Sequence, residues 1–232
     1  GLVWEDKPED AEQRMVNEQP VLVEVPERAI LSDDAEAPNH ILIEGDNLEA
    51  LTALSYTHAG KIDVIYIDPP YNTGNKDFIY NDSFVDKEDG YRHSKWLSFM
   101  NKRLKIAKNL LADKGVIFIS IDDNEQAPLK MLCDEVFGNM NLCGQLIWRK
   151  KSGGGQTDIY FVTEHEYILV YQKSAAFKWI DPVEIQSSDE FKNEDERGKY
   201  NLVKLEKWGS SAHKEDRPSM YLPIKHVDVA DS

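Results

Sequence analysis

The chain has 232 residues, 41% of them hydrophobic and 30% charged, with a formal net charge of −15; that suffices for one sizeable domain with a real core, and is too acidic for good DNA binding by this chain alone, because Lys and Arg contacts to phosphate supply most of that affinity. No stretch approaches the roughly 18 apolar residues of a membrane span, and the start, Gly1-Leu2-Val3-Trp4-Glu5-Asp6, lacks the basic and apolar runs of a signal peptide, so a cytoplasmic protein without a membrane partner is expected. Two cysteines, Cys133 and Cys143, and six scattered histidines exclude a disulfide framework and a zinc cluster; the cysteines read as small core residues, and no metal is expected.

Residues 1–39 hold 11 acids and 3 bases, which leaves only −7 of the net charge for the other 193 residues. Pro8, Pro20, Pro26 and Pro38 punctuate this stretch, which reads as an extended acidic arm with a short edge strand at 21–25. Ile41-Leu42-Ile43 reads as a strand, and Asp46 as the N-cap of a helix carrying Leu48, Leu51 and Leu54. The near-continuous apolar run Ile62–Ile67 predicts a strand buried on both faces of a parallel sheet. Residues 75–93 are polar with interspersed aromatics, long enough for a functional lid.

Leu97, Met100, Leu104, Ala107 and Leu111 step by three and four and mark the buried face of a helix, with Lys102, Arg103, Lys105 and Lys108 mostly on a solvated face. Val116–Ile121 is the next buried strand, and Asp122-Asp123-Asn124 caps a helix that runs through Leu129, Leu132 and Val136 to Gly138, with Pro128 awkward in its first turn. Two more strands fall at 145–149 and 166–171, with Trp148 read as core. The connection between them begins with the basic run Arg149-Lys150-Lys151 and the glycines 153–155. The rhythm is that of a doubly wound α/β sheet. Neither Gly-x-Gly-x-x-Gly nor a phosphate-binding P-loop is present.

At the end of the first buried strand stands Asp68-Pro69-Pro70-Tyr71. Open α/β sheets place their chemistry at such strand ends. A carboxylate, a backbone stiffened by two prolines and an aromatic face suit a planar ring bearing an amine, such as a nucleobase.

The string Ile65-Tyr66-Ile67-Asp68-Pro69-Pro70-Tyr71-Asn72-Thr73-Gly74, preceded by Gly45-Asp46-Asn47-Leu48-Glu49-Ala50-Leu51 and followed by Ser120-Ile121-Asp122-Asp123-Asn124-Glu125, resembles the β group of amino DNA methyltransferases. It is nearest the modification subunits of type III restriction-modification systems. The resemblance covers most of residues 40–175. It implies a doubly wound, mostly parallel sheet of the S-adenosylmethionine-dependent methyltransferase type, incomplete in this chain. It divides the chain into the arm (1–39), a partial catalytic core (40–175) and the start of a target-recognition region (176–232). The family's later Phe-x-Gly-x-Gly cofactor loop does not occur by Ser232, so the chain is expected to be an N-terminal catalytic part, inactive alone.

The resemblance further implies a bacterial cytoplasmic enzyme with S-adenosylmethionine as donor and adenine N6 of double-stranded DNA as acceptor. A restriction subunit is the expected partner, and a homodimer the expected assembly. Asp68 and the Pro69 carbonyl would accept the two N–H groups of a flipped-out adenine, Pro70 would stiffen the loop, and Tyr71 would stack on the base. Asp46, Asp68 and Pro69 are the expected cofactor contacts. Asn72, Thr73, Arg149, Lys150 and Lys151 are the expected substrate contacts. Cytosine N4 as acceptor, and a non-catalytic scaffold keeping the fold, are the alternatives.

Overall fold

A computed structural model describes residues 2–30, 34, 36, 38–150, 162–180, 193–196 and 198–200. The chain divides into two units, Gly1–Trp179 and Ile180–Ser232.

In the first unit the acidic arm is not extended throughout. Asp10–Asn17 forms helix α1, opened by a capping box in which Glu9 and Glu12 exchange side-chain and backbone bonds. Residues 21–25 form no strand, and Val21 and Val23 are exposed. Residues 41–43 likewise stay outside the sheet, with Ile41 and Leu42 exposed. A short strand needs a neighbour to take its backbone hydrogen bonds, and no described strand lies beside either segment. Helix α2 (Asn47–His58) starts where expected, with Asp46 Oδ1 accepting from the N–H groups of Leu48 (2.8 Å) and Glu49 (3.2 Å).

Strand β1 (Ile62–Ile67) follows, then a two-residue hairpin of β2 (Ile79–Tyr80) and β3 (Ser83–Phe84). Asn81 and Asp82 both take positive φ, the requirement of the tight turn whose twist matches a hairpin. Phe78, Tyr80 and Val85 bury themselves in the main core, so this part of the expected lid is anchored. Helix α3 (Arg92–Leu110) leads into β4 (Leu111–Ile121), then α4 (Gln126–Cys133), β5 (Leu142–Arg149) and β6 (His165–Gln172). Pro128 is the third residue of α4, where its missing N–H has no helical acceptor to lose. Within the second unit, β7 (Asn193–Asp195) and β8 (Gly198–Tyr200) form an antiparallel hairpin.

The main sheet has the order β1-β4-β6-β5. Its β1/β4 pair is parallel, while β4/β6 and β5/β6 are antiparallel, so the sheet is mixed, with β1, β4 and β5 running one way and β6 the other. The reversal comes from β6 alone; β5, reached from β4 through the helical crossover α4, runs in the same direction as β1 and β4. Alternate residues Ile65, Ile67, Ile117, Ile119, Ile121, Leu169 and Tyr171 share a core with Trp96, Leu97, Met100 and Leu104 of α3 and with Leu129 and Leu132 of α4. Each large side chain buried there contributes about 1.5–3 kcal/mol. β4 is buried on both faces, as its composition predicted. β1 is not: Val64 and Tyr66, on the face opposite Ile65 and Ile67, are exposed. Trp148, expected in the core, is 60% exposed on the edge strand β5, and Cys143 is exposed, whereas Cys133 is buried.

Candidate active site

β1 and β4 run parallel, with Ile67 opposite Ile119, so the loops that follow them emerge at the same end of the sheet. β5 is antiparallel to β6, and β6 to β4, which brings Arg149 at the end of β5 to that end as well. Topology thus puts Asp68, Asp122 and Arg149 toward one end of the sheet.

Asp68 leaves β1 exposed to solvent. Pro69, Pro70 and Tyr71 are half-buried, and Tyr71 packs against the core. The loop is pinned by Trp96, a fully buried residue of α3, whose indole N–H donates to the Pro70 carbonyl at 2.6 Å. Burial first, and then the neighbouring Asp68 carboxylate, push the Tyr71 phenol far above the usual tyrosine range. Tyr71 therefore stays neutral and presents an uncharged ring beside an open carboxylate.

Asn72 departs from expectation. It is completely buried, in the left-handed region at φ 56°, with its amide turned inward to Glu125 Oε1 at 2.5 Å. A side chain so enclosed makes no substrate contact in this conformation; it holds the loop. Thr73 is half-buried; its N–H donates to Asp77 at 2.8 Å and its hydroxyl accepts from the Asn75 N–H. Gly74 then crosses against the backbone of Lys87 at φ 80°, where an added Cβ would lie 2.8 Å from the Lys87 Cα.

The loop after β4 also differs from its expected role. Asp122 binds the backbone and side chain of Asn124, Asp123 accepts from the Tyr167 hydroxyl at 2.8 Å, and Glu125 precedes α4 without a side-chain cap. Glu125, fully buried, also meets His93 Nδ1 at 2.6 Å. Burial drives its carboxyl above the ordinary 4.5, and the bonds from Asn72 and His93 oppose that shift. Sequence reasoning assigned Trp96, His93 and Glu125 no role at the site. The Asp122–Glu125 string was visible, but a buried partner 53 residues away from Asn72 leaves no trace in spacing.

Asp46, besides capping α2, lines a cavity of about 420 Å³ together with Pro70, Tyr80, Glu9, Arg14 and Arg103. The arm thus contributes a wall of this cavity. The bases of α3 are mostly engaged rather than solvated. Arg103 is buried against Glu9 and Asn47, Lys102 bonds Glu12 and the Lys7 carbonyl, and Lys108 bonds the Val136 carbonyl, while Lys105 remains exposed. Arg149 and Lys150 are not free loop residues either. They pair with Glu164 and Glu166 across the β5/β6 hairpin. Lys151 lies outside the described residues. Among the described residues no group of His, Cys, Asp or Glu is placed to hold a metal ion, and no helix is long and apolar enough to cross a membrane.

An exposed acid at a strand end, followed by a pinned Pro-Pro-Tyr turn on an α/β sheet, defines the site class. Residues 62–226 match the family model described as "DNA methylase" (N6_N4_Mtase), and the chain belongs to that family. Its mixed sheet with flanking helices is of the α/β class.

The type III restriction-modification enzyme EcoPI Mod subunit of Escherichia phage P1 is 35% identical over 239 residues, covering 88% of this chain and 37% of that protein. The type II methyltransferase M.KpnI of Klebsiella pneumoniae is 39% identical over 187 residues, covering 78% of this chain and 43% of that protein. A solved structure from Thermus thermophilus, described as a DNA modification methylase complexed with S-adenosyl-L-methionine, aligns with 60% of this chain and 57% of that one at 18% identity and a TM-score of 0.42. The chain spans less than half the length of the two curated relatives.

Proposed function

We propose that this chain carries the catalytic carboxylate and base-stacking loop of a site-specific DNA methyltransferase that transfers a methyl group from S-adenosylmethionine to adenine N6. The observation that carries this reading is the open Asp68 carboxylate at the end of β1, followed by a Pro-Pro-Tyr turn pinned at the Pro70 carbonyl.

The exocyclic amine is a weak nucleophile because its lone pair is delocalised into the ring. Acceptors aimed at both N–H groups pull that lone pair toward the nitrogen. Asp68 supplies one acceptor and the Pro69 carbonyl the other, and their pre-set orientation avoids reorganisation during the reaction. The amine is out of reach inside a duplex, so the base is extruded at a cost of a few kcal/mol, and stacking on Tyr71 returns about 1–3 kcal/mol.

S-adenosylmethionine, when bound, supplies the electrophilic methyl. Asp46, Asp68 and the Pro69 carbonyl form an acceptor-rich set suited to its cationic sulfonium and ammonium and to its hydroxyl and amine donors. Thr73 shapes the loop beside the base, and Arg149, Lys150 and Lys151 contact phosphate. The resemblance to Mod subunits supports double-stranded DNA as substrate, a restriction subunit as partner, homodimerisation and a bacterial cytoplasmic setting.

Mass analysis of nucleosides from DNA treated with the complete enzyme tests the reading. N6-methyladenine is the expected product, lost by at least about 10³-fold in Asp68→Ala with the fold retained. N4-methylcytosine would change the acceptor. Cofactor binding by neither this chain nor a longer one would make the protein a scaffold, and normal methylation by Asp68→Ala would reject the role of that acid.

A further inference from the structure

The loop from Asp68 to Asn72 is bracketed by side chains that come from outside it. Pro69 and Pro70 have φ fixed by their rings. The Pro70 carbonyl is held by Trp96. Two residues on, Asn72 is held through its side chain: Nδ2 donates to Glu125 Oε1 at 2.5 Å and approaches the Arg92 carbonyl at 3.4 Å. Tyr71 is left between two anchors, with little freedom beyond its own φ and ψ.

Glu125 is itself held. Arg92 Nε donates to His93 Nε2 at 3.2 Å, so that nitrogen is the acceptor and Nδ1 carries the proton that His93 gives to Glu125 Oε1 at 2.6 Å. The network therefore ties three elements together: the loop after β1, the first turn of α3 and the entry to α4.

Its construction is poor for stability. Asn72 and Glu125 are both fully buried, Asn72 sits in a left-handed conformation, and neither Asn72 Oδ1 nor Glu125 Oε2 has a hydrogen-bond partner among the described residues. Buried polar atoms left unpaired cost stability, and an apolar pair would join the same elements without that cost. What the polar pair adds is direction, because a hydrogen bond fixes an angle that apolar contact leaves loose.

We infer that Glu125 is a positioning residue for methyl transfer: by gripping Asn72 it sets the angle at which Tyr71 and the Asp68 carboxylate meet the target base, and His93 orients Glu125 in turn. This rests on the roles proposed above for Asp68 and Tyr71. A displacement of about 1 Å at a reacting group costs about 10²-fold in rate, and that is the size of effect expected.

The test is steady-state kinetics of the complete enzyme with Glu125→Ala, Glu125→Gln, Asn72→Gly and the Glu125→Ala/Asn72→Gly pair. Glycine accepts the left-handed φ but has no side chain to grip, so it separates backbone conformation from the anchor. Glu125→Ala and Asn72→Gly should each lower kcat by about 10²-fold with KM for DNA and cofactor within about twofold. The double variant should be no worse than either single, and Glu125→Gln, which keeps an acceptor oxygen, should recover most of the rate. Wild-type rates in either single variant, additive losses, or a rise in KM that accounts for the loss would overturn the inference.

Amide hydrogen exchange read on residues 71–75 of this chain is the second arm. It stays informative if the wild-type enzyme proves not to methylate adenine, which would defeat the proposed function alone. Glu125→Ala should speed exchange there by at least about tenfold while β1 and β4 keep their protection. Unchanged exchange in the loop, or protection lost throughout the sheet, would reduce Glu125 to an ordinary structural residue.

Discussion

Arg103 and Glu9, 94 residues apart, meet as a two-pronged pair: Nη1 lies 3.0 Å from Oε1 and Nη2 lies 3.0 Å from Oε2. Both side chains are nearly buried, the Arg103 guanidinium rests 3.5 Å from the centre of the Phe99 ring, and its Nε donates to Asn47 at 2.5 Å. This pair fastens α1 onto α3 and explains why a strongly acidic segment does not drift off as an extended tail. Trp4 and Lys7 reinforce it by sharing the Ser98 hydroxyl, and Tyr80 donates to the Lys7 carbonyl.

Removing Glu9 leaves the Arg103 charge buried without its carboxylate, which costs about 3–5 kcal/mol, and removing Arg103 leaves Glu9 only the longer pair with Lys102 at 3.5 Å, whereas replacing both by apolar residues of similar size is close to neutral. Glu9→Ala and Arg103→Ala should each lower the urea midpoint markedly. The double variant Glu9→Leu/Arg103→Met should recover most of the loss. Equal, additive losses in the double variant would mean that the pair is not the fastening.

Gly74 supplies a second stability prediction. Its φ of 80° already disfavours a side chain, and the alanine methyl would press on the Cα of Lys87 at 2.8 Å, a backbone atom that cannot swing away. Gly74→Ala should therefore cost at least about 1–3 kcal/mol, read from the urea midpoint. Gly90, where an added Cβ meets nothing within 4 Å, is the control and should tolerate alanine.

The elements that were legible in the sequence are those whose signal is local. The α3 stripe from Leu97 to Ala107, the Asp46 cap and the apolar runs of β1 and β4 each follow from a period or a single side chain, and they form the elements expected; Leu111, read as the last residue of the stripe, instead opens β4. The elements that misread depend on partners distant in the chain. Ile41-Leu42-Ile43 has strand composition but no described neighbour. Arg103 looked solvated because nothing in α3 announces that Glu9 will cover it. Asn72 was expected to contact substrate along with its neighbours in the string, while its amide is claimed by Glu125 from another strand end. Tyr71 and Asp68 stood out as candidates because they lie in one contiguous string; the supports from Trp96, His93 and Glu125 lie far from it in sequence and did not.

Arg149 and Lys150 lie at the sheet end that carries Asp68, but both pair with acids across the hairpin. Exposed ion pairs of this kind are worth about 0–1 kcal/mol, so exchanging Glu164 and Glu166 for DNA phosphates costs little. If both bases contact phosphate, Arg149→Ala/Lys150→Ala in the complete enzyme should flatten the dependence of log K on log salt by about 1.8, near 0.9 for each contact. A slope unchanged within error would remove them from the interface.

Glu125 makes a pH-dependent prediction whose sign follows from its burial. Its carboxyl is driven above the ordinary 4.5 chiefly by desolvation, against the opposing influence of Asn72, His93 and Arg92. Across the window that opens near that ordinary value and extends upward to the folded pKa, the folded chain holds a proton that the unfolded chain has released. Folding stability therefore falls as pH rises through that window. Glu125→Gln cannot ionise and loses this component. Urea midpoints measured from about pH 4 to about pH 8 should show the variant gaining on the wild-type chain as pH rises, with the gain levelling off once the wild-type carboxyl is ionised in both states. A difference that moves the other way would mean that the hydrogen bonds from Asn72 and His93 outweigh desolvation, and that the buried carboxylate is favoured in its charged form.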